Sequence, residues 1–165
     1  MNGGSLWLAR AIYELGRIEF GDFTFGPAIV NSPIYLNPKV LISDPGALRT
    51  AAALIHAELN SRMAMRNPGC GPFDLIAGVP FGGLHIATCF SLSCDKPLIY
   101  VKSVDGDRDQ KGIEGRFLPG HPVIIVDDLI TAGGSMLRTA EVLRGEGLEV
   151  TDAVALVDRE QGATE

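Results

Sequence analysis

The sequence predicts an α/β fold: a parallel sheet flanked by helices, with a small N-terminal appendage. Three observations carry that prediction. Four short apolar runs, at residues 74–77, 98–101, 123–126 and 150–157, have the length and β-branched content of buried strands. Helical patterns near residues 83–92 and 135–145 fall between some of them, and strands alternating with helices imply parallel pairing with both faces covered. The length, 165 residues, suits one domain with a core of its own.

From the N-terminus, Ser5 precedes a segment in which Leu8, Ile12 and Leu15 recur at helical spacing before Gly16. Residues 18–35 carry Gly, Pro and aromatic punctuation and read as short strands and turns. Residues 45–65 form a second helix, with Asp44 as its N-cap and Pro45 at its first position. Residues 67–72 break the pattern. Residues up to about 45 form the appendage, and residues 46–165 the α/β core. One connection departs from the alternation: residues 102–122 are long, charged and Gly-rich, with no apolar periodicity. A loop of that size in a compact domain serves as a functional lid or is disordered, and residues 102–116 are expected to be mobile.

A formal net charge of −6 argues against general binding to nucleic acid or to anionic membranes, which need a basic surface. Any phosphate site must therefore be local, built from backbone amides and a few cations. Cys70, Cys89 and Cys94 are odd in number and lack zinc-like spacing, so they read as free, mostly buried thiols of a reducing compartment. No apolar run reaches the length of a membrane span, and Arg10 and Glu14 in the first periodic segment do not fit a signal peptide. A cytoplasmic address is expected. His56, His85 and His121 have no partners at catalytic spacing and read as structural or solvated.

The chemistry concentrates in residues 123–135, VIIVDDLITAGGS. An apolar strand is followed by the carboxylates Asp127 and Asp128, then by the small turn Thr131-Ala132-Gly133-Gly134-Ser135, then by a helix. Strand, glycine-rich turn and helix N-terminus together make an anion-binding device with acids beside it, which points to a phosphorylated sugar. In open α/β sheets ligands lie beyond the carboxyl ends of the strands. The other strand ends deliver matching material: a turn over residues 78–83, then Lys102, and after the last strand Asp158 and Arg159.

VIIVDDLITAGGS resembles the phosphoribosyl pyrophosphate (PRPP) signature of type I phosphoribosyltransferases. Further segments narrow the resemblance to orotate phosphoribosyltransferases, particularly the transferase domain of UMP synthases. They are FGDFT at 20–24, SPIY at 32–35, AGVPF at 77–81, IEG at 113–115 and LVDREQG at 156–162, in family order nearly end to end. The resemblance implies a type I phosphoribosyltransferase-like sheet with residues 1–45 as a hood. The reaction it implies is orotate plus PRPP to orotidine 5′-monophosphate and pyrophosphate, in pyrimidine synthesis, by a homodimer. It places Asp127 and Asp128 on the ribose hydroxyls, and residues Thr131, Ala132, Gly133, Gly134 and Ser135 around the 5′-phosphate. Phe81, Gly82, Gly83 and Lys102 would meet the pyrophosphate, and Thr131 and Arg159 the orotate. Mg²⁺ would arrive on PRPP, near Asp127 and Asp128, without further ligands from the protein.

The family's lid loop carries Arg-Lys, a second Lys, and a His or Tyr. Counting back from Ile113, these positions hold Val101, Lys102, Asp105 and Asp107 here, so that two groups suited to pyrophosphate have become carboxylates. Arg108 and Lys111 are the loop cations that could take their place. Phe25 leads to Gly26 where a lysine is usual, and family members usually continue beyond the position of Glu165 with another helix and strand. Two alternatives stay open at this point. One is a catalytically impaired paralogue that binds PRPP or a nucleotide in a regulatory role; the other is a phosphoribosyltransferase for another base.

Overall fold

The structure, a computed structural model, describes residues 3–25, 29–102 and 112–162, with the side chains of Phe25, Ile29 and Val30 set aside. Two compact units divide the chain, Met1–Leu48 and Arg49–Glu165.

The first unit opens with α1 (Gly3–Glu14), which starts two residues ahead of Ser5 and buries Leu8 and Ile12. Gly16, at φ 70°, ends the helical stretch in a left-handed conformation that costs glycine little. The predicted strands and turns are one antiparallel hairpin, β1 (Ile18–Phe25) and β2 (Ile29–Leu36), with register shifts on either side of Phe23. A 3-10 turn (Pro38–Ser43) leads to α2 (Pro45–Met63), whose first turn contains the boundary between the units. Asp44 caps α2 as expected: its Oδ1 accepts hydrogen bonds from the N–H groups of Gly46 at 2.8 Å and Ala47 at 3.0 Å.

The second unit contains β3 (Leu75–Gly78), α3 (Gly82–Cys94), β4 (Leu98–Val101), β5 (Ile113–Glu114), β6 (Pro122–Ile130), α4 (Gly134–Gly145) and β7 (Glu149–Asp158). Among the described residues the sheet order is β5-β4-β3-β6-β7; β4, β3, β6 and β7 run parallel and β5 antiparallel to β4. The antiparallel edge corrects the expectation that residues 102–122 hold no element. Only Ile113 and Glu114 pair there, too few to leave a periodic signal.

A second correction concerns β6. The expected strand stopped at Val126, ahead of the acids, whereas the observed one continues through Asp127 and Asp128 to Ile130. Pairing along β7 is the cause: Asp127 lies opposite Ala155, Leu129 opposite Val157 and Ile130 opposite Asp158.

Alternation sorts the strands into two faces. Leu75, Ala77, Val79, Ile99, Val123 and Ile125 cluster with Met136, Ala140 and Leu143 of α4. The other face receives α3, whose Phe90 is completely buried and meets the rings of Phe73 and, edge-on, His56. Leu143 is also fully buried, and Leu143→Ala is expected to cost about 2–5 kcal/mol in urea unfolding, with the slope of the transition unchanged.

The three cysteines are free, as expected; Cys70 is buried and Cys89 and Cys94 are partly buried. Cys94 is the last residue of α3, where its thiol donates to the Ser91 carbonyl at 3.8 Å. No helix among the described residues is long and apolar enough to cross a membrane.

Candidate active site

Because β3, β4, β6 and β7 are parallel, their carboxyl ends reach one rim of the second unit. In register, Gly78 pairs with Tyr100 on one side and with Val126 on the other. The turn at 79–83, Lys102 and the acidic pair are thereby delivered side by side.

Asp127 and Asp128 are consecutive residues of a strand, so their side chains leave opposite faces of the sheet. Both are buried, at 7% and 4% exposure. Asp127 lines the cradle described below, and its Oδ1 accepts a hydrogen bond from the Asp128 N–H at 2.8 Å. Asp128 lies beneath α3. A Cβ placed on Gly82 would come within 2.3 Å of Asp128 Oδ2, and one on Gly83 within 2.6 Å of Asp127 Cα and of the Val126 carbonyl oxygen. A Cβ on Gly78 would come within 2.9 Å of Leu84 Cα. The three glycines therefore let the start of α3 rest directly on β3 and β6. The 79–83 turn is held by the Val79 N–H donating to the Val126 carbonyl at 3.0 Å and the Leu84 N–H donating to the Val79 carbonyl at 3.0 Å. Phe81, at its tip, is 76% exposed.

Beyond β6, residues 129–136 with Asp127 and Arg138 line a cavity of about 250 Å³. Gly133 takes φ 77° at the N-cap of α4, where no side chain caps the helix. The first-turn amides of α4 are thus directed into a glycine-lined concavity at the positive end of its dipole, suited to a phosphate. Arg138 was not singled out from the sequence. A Cβ on Gly134 would lie 3.3 Å from an Arg138 guanidinium nitrogen, so this cation is folded back over the cradle. The available signal was its place four residues after Gly134 on the same helix face.

At the end of β4, Lys102 forms a close ion pair with Glu114, and its N–H donates to the Gly112 carbonyl at 3.0 Å. The hydrogen bond that Lys102 donates to the Glu114 carboxylate, reinforced by the carboxylate's charge, raises the Lys102 ammonium above the ordinary lysine pKa.

Thr131 and Arg159 are brought together by the last rung of the β6–β7 ladder. Ile130 pairs with Asp158, and the Arg159 N–H donates to the Ile130 carbonyl at 3.1 Å. Asp158 Oδ1 accepts from the Glu160 N–H at 2.7 Å and shapes the turn on which Arg159 stands. Arg108, Lys111, Asp105 and Asp107 lie outside the described residues. Among the described residues, no three His, Cys, Asp or Glu side chains are grouped to hold a metal ion.

Residues 50–165 match the phosphoribosyl transferase domain. The chain is 36% identical over 159 residues to orotate phosphoribosyltransferase of Pyrococcus abyssi, a match covering 96% of this chain and 83% of that protein. It belongs to the orotate phosphoribosyltransferase family. Within that family the crystal structure of orotate phosphoribosyltransferase from Aeropyrum pernix superposes with a TM-score of 0.76 at 30% identity, covering 94% of this chain and 84% of the other. Uridine 5′-monophosphate synthase of Bos taurus is 35% identical over 161 residues, and there the chain spans 94% of its own length but 31% of the relative's. The mostly parallel sheet flanked by helices is the fold shared with these relatives, and the acids, cradle and glycine turn lie together at the carboxyl ends of its parallel strands.

Proposed function

We propose that the protein is a pentosyltransferase of pyrimidine biosynthesis that converts orotate and PRPP to orotidine 5′-monophosphate and pyrophosphate. The observation that carries this reading is one rim holding a phosphate cradle, two buried carboxylates beside it, and the turn at Phe81–Gly83 with Lys102 across from them. Residues Thr131, Ala132, Gly133, Gly134 and Ser135 receive the 5′-phosphate through backbone amides and hydroxyls. Asp127 and Asp128 accept hydrogen bonds from the two ribose hydroxyls, which fixes the sugar and stabilises the positive charge that develops as the pyrophosphate bond breaks. The amides near Gly82 and Gly83, with Lys102, hold the departing pyrophosphate, and Arg108 and Lys111 are the loop cations assigned to join them. Arg159 grips the orotate carboxylate in bidentate fashion, with Thr131 beside it.

Mg²⁺ fits this site. A small hard cation that keeps substrate phosphates and water in its coordination sphere would be carried by PRPP, with the negative charge of Asp127 and Asp128 nearby and no direct ligand from the protein. When bound, it neutralises phosphate charge. The homodimer rests on the family resemblance, and the cytoplasmic address on the three free thiols.

Turnover is the test. Purified protein given orotate, PRPP and Mg²⁺ is expected to consume orotate, read as loss of its ultraviolet absorbance. Consumption of a purine in place of orotate points to another base. Absence of turnover with a retained thermal shift from ribose 5-phosphate points to the ligand-binding paralogue.

A further inference from the structure

The motif Ile113-Glu114-Gly115 has no part in the reaction just described, yet it is built with care. Ile113 and Glu114 pair antiparallel with Val101 and Tyr100. Gly115, at φ 107°, closes the strand where an added Cβ would meet the Leu98 carbonyl oxygen at 2.8 Å and Ile99 Cγ2 at 2.7 Å. At the other end Gly112 accepts the Lys102 N–H, and a Cβ there would lie 3.9 Å from Lys102 Cδ, so the lysine stem runs across this glycine. Glu114 opposite Tyr100 is diagonal to Lys102, and long side chains at diagonal positions reach each other. The result is a bracket that fixes one carboxylate on the ammonium of Lys102. Both side chains remain about half in solvent, 49% exposed for Lys102 and 44% for Glu114.

We propose that Glu114 is the counter-ion that Lys102 exchanges for pyrophosphate. The inference rests on the transferase reading, in which Lys102 meets the leaving group. A half-exposed ion pair is weak, so an anion carrying three or more charges displaces the carboxylate. Glu114 takes the ammonium back as pyrophosphate departs. It therefore acts through Lys102 as a positioning residue, limiting how long the product stays.

The test is titration calorimetry of the full chain with pyrophosphate alone, and separately with ribose 5-phosphate, which lacks the leaving group. Glu114→Gln is expected to tighten pyrophosphate binding by about two- to fivefold, the range of an exposed ion pair, and to leave ribose 5-phosphate unchanged. In a Lys102→Ala background the same substitution is expected to change neither. Glu114→Asp, which keeps the charge on a shorter arm, gives an intermediate affinity and guards against misfolding of the first variant. Unchanged or weaker pyrophosphate binding by Glu114→Gln overturns the proposal, as does equal tightening of both ligands or no pyrophosphate binding by the parent protein. The titration needs no turnover. A protein that turns over neither orotate nor a purine but shows the tightening disproves the transferase reading and keeps the exchange; one that turns over without it does the reverse.

Discussion

Gly83→Ala is expected to lower the melting temperature by about 5–10 °C, corresponding to about 2–3 kcal/mol, and to remove most of the binding of ribose 5-phosphate. The cause is specific. The new methyl group would sit 2.6 Å from Asp127 Cα and from the Val126 carbonyl, which are backbone atoms of a strand paired on both sides. A side chain can swing away from such a contact, but a central strand cannot, so α3 must lift or β6 must buckle. Either movement shifts the acids against the cradle. Scanning calorimetry with and without ribose 5-phosphate measures both effects. A variant with unchanged melting temperature and unchanged ligand shift would show that α3 is not seated as described.

Asp128→Asn separates function from stability. The carboxylate is 4% exposed, and holding a charge out of water beneath Gly82 is a cost that an isosteric amide reduces. The variant is expected to melt at or above the parent temperature. Its kcat/KM for PRPP is expected to fall by about 10- to 100-fold, because a charged acceptor on a ribose hydroxyl contributes about 1.5–3 kcal/mol. Steady-state kinetics beside a thermal melt decide it. Equal loss of stability and activity would make Asp128 a structural acid, and the ribose contact would then fall to Asp127.

The sequence was legible where the chemistry is local. The Asp44 cap, the cradle at 131–135 and the acidic pair each depend on neighbours within a few positions, and residue type with spacing reveals them. The true length of β6 was hidden because its last residues are strand only by virtue of β7, some 28 residues later at the Ile130–Asp158 rung. β5 was hidden for the same reason, since two residues carry no period of their own and derive their identity from Tyr100 and Val101. Arg138 was hidden differently. Its motif neighbours drew attention, whereas its own role depends on a side chain folding back over Gly134, which no spacing rule specifies. The Lys102–Glu114 pair combines both cases, because Lys102 was recognised and its partner across the loop was not.

The placement of the acids inside β6 has a consequence for the order in which the site opens. Amide protons of a strand hydrogen-bonded to β3 on one side and β7 on the other exchange with solvent only when the sheet itself opens. Residues 123–126 therefore belong to the last region to open, whereas Asp127 and Asp128 lie just beyond the end of β3, on the stretch of β6 that pairs with β7 alone. The amides of the cradle and of the 79–83 turn stand on connections that open earlier. Under mild heating or low denaturant, hydrogen exchange is expected first at the cradle, next around Asp127 and Asp128, and at residues 123–126 only when the sheet itself opens.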